Sequence, residues 1–348
     1  MQRRLAAIVL AAMIIAAPLL SASAESFSGA GSTFAHPILA RWGQAYASLQ
    51  GEGGSAFAAD GGFDYEPVGS TAGIMRVLQG AVEFGATDIA LPPQELDQQR
   101  LLQFPVTSGG VAIVVNLRGI GSDSLRLSAS VLARIYLGEI TRWSHPDLAA
   151  LNVGLALPDT PITVVQRSDG SGTSWHFTRY LTSGSPEWRQ RAGVAAQPKW
   201  PVGVGARGNG EMADRVQSTE NAIGYMEASQ AQRRGLSVVL LENQAKRYVA
   251  PSVPALRSAL SSTRLDPTQH FHDVEANAQA TEAYPIVATV FALVPREPGS
   301  RRRHRQAMDF FRFALTERAS DAEFLGYVPL PDSTVQQVIE YWRAALPR

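Results

Sequence analysis

Residues 162–178, ITVVQRSDGSGTSWHFT, constrain the fold more than any other stretch of this chain. Ile162 to Val165 form an apolar, β-branched run that reads as a buried strand. Ser168, Asp169, Gly170, Ser171 and Gly172 make a polar turn, and Thr173 to Tyr180 continue as a helix. A helix start carries unpaired N–H groups and the positive end of the macrodipole, so small residues there let an anion approach the amides. Arg167, just before the turn, has a planar fork suited to phosphate or carboxylate. Taken alone, an SGT turn is more often a plain helix cap, with Ser171 or Thr173 closing the helix and Arg167 paired to Asp169 on the surface.

Three further segments resemble it in plan. Phe27 to Phe34 (FSGAGSTF) precede a helical pattern through Ile38, Leu39, Trp42 and Tyr46, with His36-Pro37 in its first turn, which sets Ser32 and Thr33 at a helix entrance. The missing third glycine, replaced by Phe34, rules out a dinucleotide fingerprint. A strand at Glu66–Val68 runs into Gly69-Ser70-Thr71-Ala72-Gly73, and helical spacing resumes at Ile74, Val77 and Leu78. A third strand, from Val82, delivers Asp88 into a loop before Pro92-Pro93 and a helix near Gln94. Each hydroxyl or carboxylate follows a strand, and strands alternate with helices throughout. The fold class predicted is therefore α/β, with ligands at the carboxyl ends of the strands.

With 348 residues the chain is long enough for two domains. Lys+Arg and Asp+Glu balance at 31 each, so no overall basic field favours nucleic acid or an anionic membrane. Met1-Gln2-Arg3-Arg4, an apolar run to Leu20 and Ser21-Ala22-Ser23-Ala24 together predict a signal peptide over 1–24, cleaved after Ala24. The run is short for a membrane span and Pro18 interrupts it. No cysteine is present, so neither a disulfide nor thiolate chemistry is expected.

Residues 50–64 are rich in glycine and alanine and read as a loop or insertion. Ser108-Gly109-Gly110, flanked by strands, suits a crossover between domains, and Ile286–Val294 suits a second, long buried strand returning to the first. Other expected elements are helices at Ser130–Leu137, Pro186–Arg191 and from Val253, strands at Ala222–Met226 and Leu236–Leu241, and a loop over Pro198–Gly210. His270, His272, Asp273 and Glu275 lie in a polar stretch without a well-spaced third ligand, so no metal is assigned. Arg301, Arg302, Arg303, His304 and Arg305 cluster at a helix start, against the dipole preference, and read as a solvated face or a contact surface. Pro331-Asp332-Ser333 opens a last helix striped with Val335, Val338, Ile339, Trp342 and Leu346.

The motifs, in order, resemble the phosphate-binding proteins of bacterial high-affinity phosphate ABC transporters. They are GAGSTF (Gly29–Phe34), VGSTAG (Val68–Gly73), FGATD (Phe84–Asp88), QFPVTSGGVAIVVN (Gln103–Asn116), IYLGEITRW (Ile135–Trp143) and RSDGSGTSWHFT (Arg167–Thr178), followed by GNG (Gly208–Gly210), AIGYME (Ala222–Glu227) and YPI (Tyr284–Ile286). The resemblance implies a two-lobed periplasmic binding protein of type II, two doubly wound lobes joined by hinge crossovers, with lobe I at 25–110 and 288–348 and lobe II at 111–287. It implies a phosphate site formed by Thr33, Phe34, Ser70 and Asp88 of one lobe and Arg167, Ser171, Gly172 and Thr173 of the other, with Asp169 orienting Arg167. It also implies inorganic phosphate and a membrane permease as partners, a monomer, and neither cofactor nor catalytic residue. The Gly-rich stretch before Tyr65 is longer than is usual in that family, and the loop near Arg207 differs from it.

Asp88 is the expected selector. A carboxylate among anion-binding donors repels a ligand unless the ligand brings a proton, which phosphate near neutral pH does and sulfate does not. Three other readings stand beside this one: a site for sulfate, molybdate or a phosphonate, a secreted phosphoesterase with Ser171 or Ser70 as nucleophile, and an extracellular scaffold or adhesin that retains the fold and binds no oxyanion. Neither serine sits in G-x-S-x-G.

Overall fold

The computed structural model describes residues 26–49, 62–261, 263–272 and 280–346. The expected signal peptide, most of the Gly-rich stretch, and Asp273 and Glu275 lie outside the described residues. The strands in chain order are β1 (Phe27–Gly31), β2 (Phe63–Glu66), β3 (Phe84–Thr87), β4 (Leu101–Asn116), β5 (Arg126–Leu127), β6 (Thr163–Arg167), β7 (Val204–Ala206), β8 (Ala222–Glu227), β9 (Ser237–Val238), β10 (Leu240–Glu242), β11 (Tyr248–Val249) and β12 (Val287–Pro295). One sheet has the order β2-β1-β3-β12-β4-β8-β6-β7, with β9 beside β4, and β11-β10-β5 form a second. β1 is parallel to β2 and β3, and β6 is parallel to β7 and β8, so each half of the large sheet has its own parallel set.

β4 joins the halves. Up to Gly110 it pairs with β12, and from Val111 onward with β8, all antiparallel. Gly109 and Gly110 therefore do not interrupt the strand; they lie where its partner changes. Every residue of β4 but Asn116 is buried, as expected for a strand covered on both faces. Pro105 has no N–H to give, and the register with β12 shifts at Val290/Phe291, beside it.

Each half is filled by aromatic rings. Phe63 stacks on Phe310 at 4.7 Å and Phe84 meets Phe311 edge-on at 4.9 Å. In the other half Phe177 stacks on Tyr225 at 4.2 Å. The helix His36–Ala47 buries Ile38, Leu39, Trp42 and Tyr46, the spacing read from the sequence.

Several boundaries differ from expectation. The strand placed at Glu66–Val68 is Phe63–Glu66, leaving 67–69 to enter the helix Ser70–Leu78. Leu236–Leu241 is divided between sheets: the Val239 amide bonds to Ile113 O beside β4, and the Leu240 amide to Leu125 O beside β5. The loop Pro198–Gly210 contains β7 and the start of the helix Gly208–Ser218. The short helix Pro146–Leu151 stands where the sequence pattern marks only a turn. The last helix is Asp332–Ala345, with Pro331 at its cap and no side-chain bond there.

Candidate functional site between the lobes

The carboxyl ends of five strands, three from one parallel set and two from the other, lead to the candidate residues. β1 leads to Ser32 and Thr33, β2 to Gly69 and Ser70, β3 to Asp88, β6 to Arg167 through Gly172, and β7 to Gly208 and Asn209. Ligand sites in α/β sheets form at this end because helix N-termini and strand-end loops meet there.

Asp88 is 2% exposed. Ser32 donates its hydroxyl to Asp88 Oδ1, and the Asp88 amide donates to Ser70 Oγ at 3.3 Å. Burial pushes the Asp88 carboxyl up to about 7, although hydrogen bonds from Ser32 and Ser70 and the Arg167 charge act to lower it. Arg167 therefore shares an electrostatic environment with Asp88, as a common site requires.

Arg167, 1% exposed, is held by Asp169, with Nε to Oδ1 at 2.6 Å and Nη2 to Oδ2 at 2.5 Å. The pairing expected on the surface is thus buried. Nη1 of Arg167 has no hydrogen-bond partner. Burial alone would raise the Asp169 carboxyl, but the bonds and charge of Arg167 outweigh it and hold Asp169 below the usual carboxylate range. The Arg167 amide donates to Tyr225 Oη at 3.1 Å, which ties this arginine to the aromatic packing of its lobe.

The two lobes touch here. The Gly172 amide donates to Ser70 Oγ at 3.2 Å and the Thr71 amide to Gly170 O at 3.1 Å. Asn209 donates to Thr33 Oγ1 through its amide at 3.2 Å and through Nδ2 at 2.9 Å. His176 Nε2 donates to the Asp88 main-chain oxygen at 2.7 Å, and burial lowers this imidazole to about 4, so it is neutral. Two glycines permit the approach. A Cβ on Gly172 would lie 2.6 Å from Asp88 Cβ and from Ser70 Oγ. Gly69, at φ 97°, faces Asp169 Oδ2, which a Cβ would meet at 2.6 Å.

The residues expected at the site differ in what they have left to offer. Thr33 Oγ1 accepts from Asn209, and the Phe34 amide donates to Ser32 Oγ at 3.1 Å while the Phe34 ring packs in the core against Tyr327. Ser171 caps the helix Gly172–Gly184, its Oγ accepting from the Ser174 amide at 3.1 Å, and its own amide bonds to Ala196 O. Thr173 is buried in the first turn of that helix. Ser32, Asn209 and His176 are given no role by the sequence pattern. For Ser32 a signal is present, since it is one of two adjacent hydroxyls, but which of them faces Asp88 depends on the turn geometry. His270, from the cluster left without a metal, bonds through Nδ1 to Tyr341 Oη at 2.5 Å, and among the described residues no group of three His, Cys, Asp or Glu is placed to hold an ion.

Two parallel-stranded lobes joined through β4 and β12, with buried polar residues meeting between them, define a two-lobed type II periplasmic binding protein; a PBP superfamily domain matches residues 17–318. A PstS phosphate-binding protein of Xylella fastidiosa is 37% identical over 315 residues, covering 90% of this chain and 84% of the relative. That of Haemophilus influenzae is 34% identical over 325 residues, covering 93% and 95%. The chain belongs to the family of PstS phosphate-binding proteins. A solved phosphate-binding protein of Stenotrophomonas maltophilia shares the fold at a TM-score of 0.65, with 18% identity over 90% of this chain and 93% of that one.

Proposed function

We propose that this protein captures inorganic phosphate between its lobes and delivers it to the membrane permease of an ABC transporter, working in the periplasm after loss of residues 1–24. The observation that carries this reading is the pair Asp88 and Arg167, both buried, one a carboxylate and the other a guanidinium with Nη1 unbonded. The lobes are proposed as 25–110 with 288–348, and 111–287, which agrees with the change of partner along β4 at Gly110/Val111.

Arg167 supplies fixed positive charge and a donor, while the helix start at Gly172 supplies its dipole. Asp88 reads the proton. At pH above about 7 it is ionised, so it accepts a hydrogen bond from a phosphate that still carries a proton; sulfate has none, and its oxygen would face the carboxylate directly. An unpaired buried polar group of this kind rejects an analogue by about ten-thousandfold. Binding energy draws the lobes together, a motion general to such proteins.

Binding without turnover fits the serines. Ser70 Oγ accepts from two amides, Ser171 Oγ caps a helix, and the neighbouring His176 directs Nε2 to a main-chain oxygen instead of a hydroxyl. Calorimetry at pH 8 tests the proposal. One phosphate per chain and no measurable sulfate binding are expected; sulfate bound as tightly as phosphate, or hydrolysis of a phosphate ester lost on Ser171→Ala, would overturn it.

A further inference from the structure

Asn209 is fully buried and is the second residue of the helix Gly208–Ser218. Its side-chain oxygen accepts the Glu227 amide at 3.1 Å, and Glu227 lies opposite Val111, where β4 has changed partner. A main-chain N–H can face only an acceptor, so this bond settles which way the Asn209 amide is turned. Oδ1 is toward Glu227, and Nδ2, which can only donate, is toward Thr33 of the other lobe.

The helix places a second demand on the same hydroxyl. Its first N–H groups have no partner within the helix, and the side chain of Arg207 at its cap makes no bond to them. The Gly208 amide goes to Asp169 Oδ1 at 3.2 Å and the Asn209 amide to Thr33 Oγ1 at 3.2 Å, so a hydroxyl of lobe I serves a helix start of lobe II. Gly208, at φ 69°, admits it; a Cβ there would lie 3.1 Å from Thr33 Cγ2. With Nδ2 of Asn209 at 2.9 Å, Thr33 Oγ1 receives two hydrogens, which use both of its lone pairs. Gln230 Nε2 fixes the adjoining backbone by donating to Thr33 O at 3.2 Å. The proton of the Thr33 hydroxyl has no acceptor among the described residues.

We propose that Asn209 is a positioning residue for phosphate capture: by filling both lone pairs of Thr33 Oγ1 as the lobes meet, it makes that hydroxyl a donor only and leaves its proton for an unprotonated phosphate oxygen. A free threonine hydroxyl accepts as readily as it donates and competes for the proton that phosphate carries. One held by two N–H groups cannot, and the phosphate proton is left to Asp88. The inference rests on phosphate being the ligand of the cleft, and it adds to that reading a residue of the opposite lobe which sets how the ion is turned.

The test is a double-mutant cycle. Inorganic phosphate is titrated by calorimetry at pH 8 into the whole protein as wild type, Asn209→Ala, Thr33→Val and the two together, each shown to be folded by its melting curve. Asn209→Ala is expected to weaken phosphate by about tenfold where Thr33 is present, and by less than about twofold on top of Thr33→Val, where no hydroxyl remains to be positioned. A purely structural Asn209 would cost the same factor in both backgrounds. Asn209→Asp serves if the alanine variant does not fold, because it keeps the acceptor for the Glu227 amide. Its second oxygen takes the Thr33 proton, so phosphate should weaken by about a hundredfold with Thr33 present and by about tenfold on top of Thr33→Val, where only the added charge acts. Equal losses in the two backgrounds, or wild-type affinity in either Asn209 variant, overturn the proposal and leave phosphate capture standing. A wild type that binds no phosphate overturns both.

Discussion

Ser32 and Asp88 form a fixed pair. The Ser32 oxygen accepts the amides of Phe34 and Ala35, both at 3.1 Å, and its proton goes to Asp88 Oδ1. With its lone pairs engaged by the backbone, the hydroxyl has one remaining role, donation to Asp88. One carboxylate oxygen is thereby occupied and oriented. Ser32→Ala is expected to weaken phosphate binding at pH 8 by about ten- to a hundredfold, the value of a hydrogen bond to a charged group, and to raise the Asp88 carboxyl further, because the bond from Ser32 lowers it. Titration calorimetry at several pH values measures both; full affinity in the variant removes Ser32 from the selector.

Gly172→Ala tests whether the lobes must meet as closely as they do. The added Cβ would fall 2.6 Å from Asp88 Cβ and Ser70 Oγ and 2.7 Å from Asp88 Oδ2. The residue lies in a helix and alanine is a good helix former, so the fold is retained while closure is blocked. Small-angle scattering with saturating phosphate should show an open form, and affinity should fall by about a hundredfold or more. A closed, tight complex would mean that the contact between Gly172 and Asp88 is dispensable.

Arg167→Lys separates capture from selection. Lysine keeps the charge but lacks the fork that grips Asp169 with two nitrogens and presents Nη1. Every oxyanion should bind about a hundredfold more weakly, with the phosphate-to-sulfate ratio unchanged. A changed ratio would assign part of the selection to Arg167.

Contact between the lobes should depend on pH through Asp88. With the lobes in contact, burial holds its carboxyl at about 7, well above the ordinary carboxylate value of 3.8. A raised acid binds more protons in the closed form, so its contribution to closure is fully present below about pH 4 and is lost as pH rises through about 7. Scattering of ligand-free protein should show a more closed population at pH 5 than at pH 8, and Asp88→Asn should abolish the difference. The same compactness at both pH values in the wild type would contradict the burial argument.

Much of the site is legible in the sequence because its residues follow apolar runs. The β-branched stretch before Arg167 and the run before Asp88 identify strands whether or not their neighbours are known, and small polar residues after them mark the turns. What is not legible depends on partners distant in sequence. Leu236–Leu241 reads as one strand, yet Val239 and Leu240 bond to different sheets, a choice made by Ile113 and Leu125. Asn209 gains its role only because Thr33 of the other lobe arrives opposite it. Likewise, an apolar-to-polar boundary does not tell whether Ser32 or Thr33 faces Asp88, since adjacent residues point in different directions and the turn between strand and helix sets which is which.

The most direct measurement is competition between phosphate and sulfate followed from pH 5 to pH 8.5 in the wild type and in Asp88→Asn. In the wild type, preference for phosphate is expected to rise as Asp88 ionises near pH 7 and to fall at acid pH, where a protonated Asp88 donates to sulfate. In Asp88→Asn, sulfate should gain on phosphate above about pH 7, and the pH dependence of the ratio should flatten. An identical ratio and profile in both proteins would show that selection does not reside in this carboxyl.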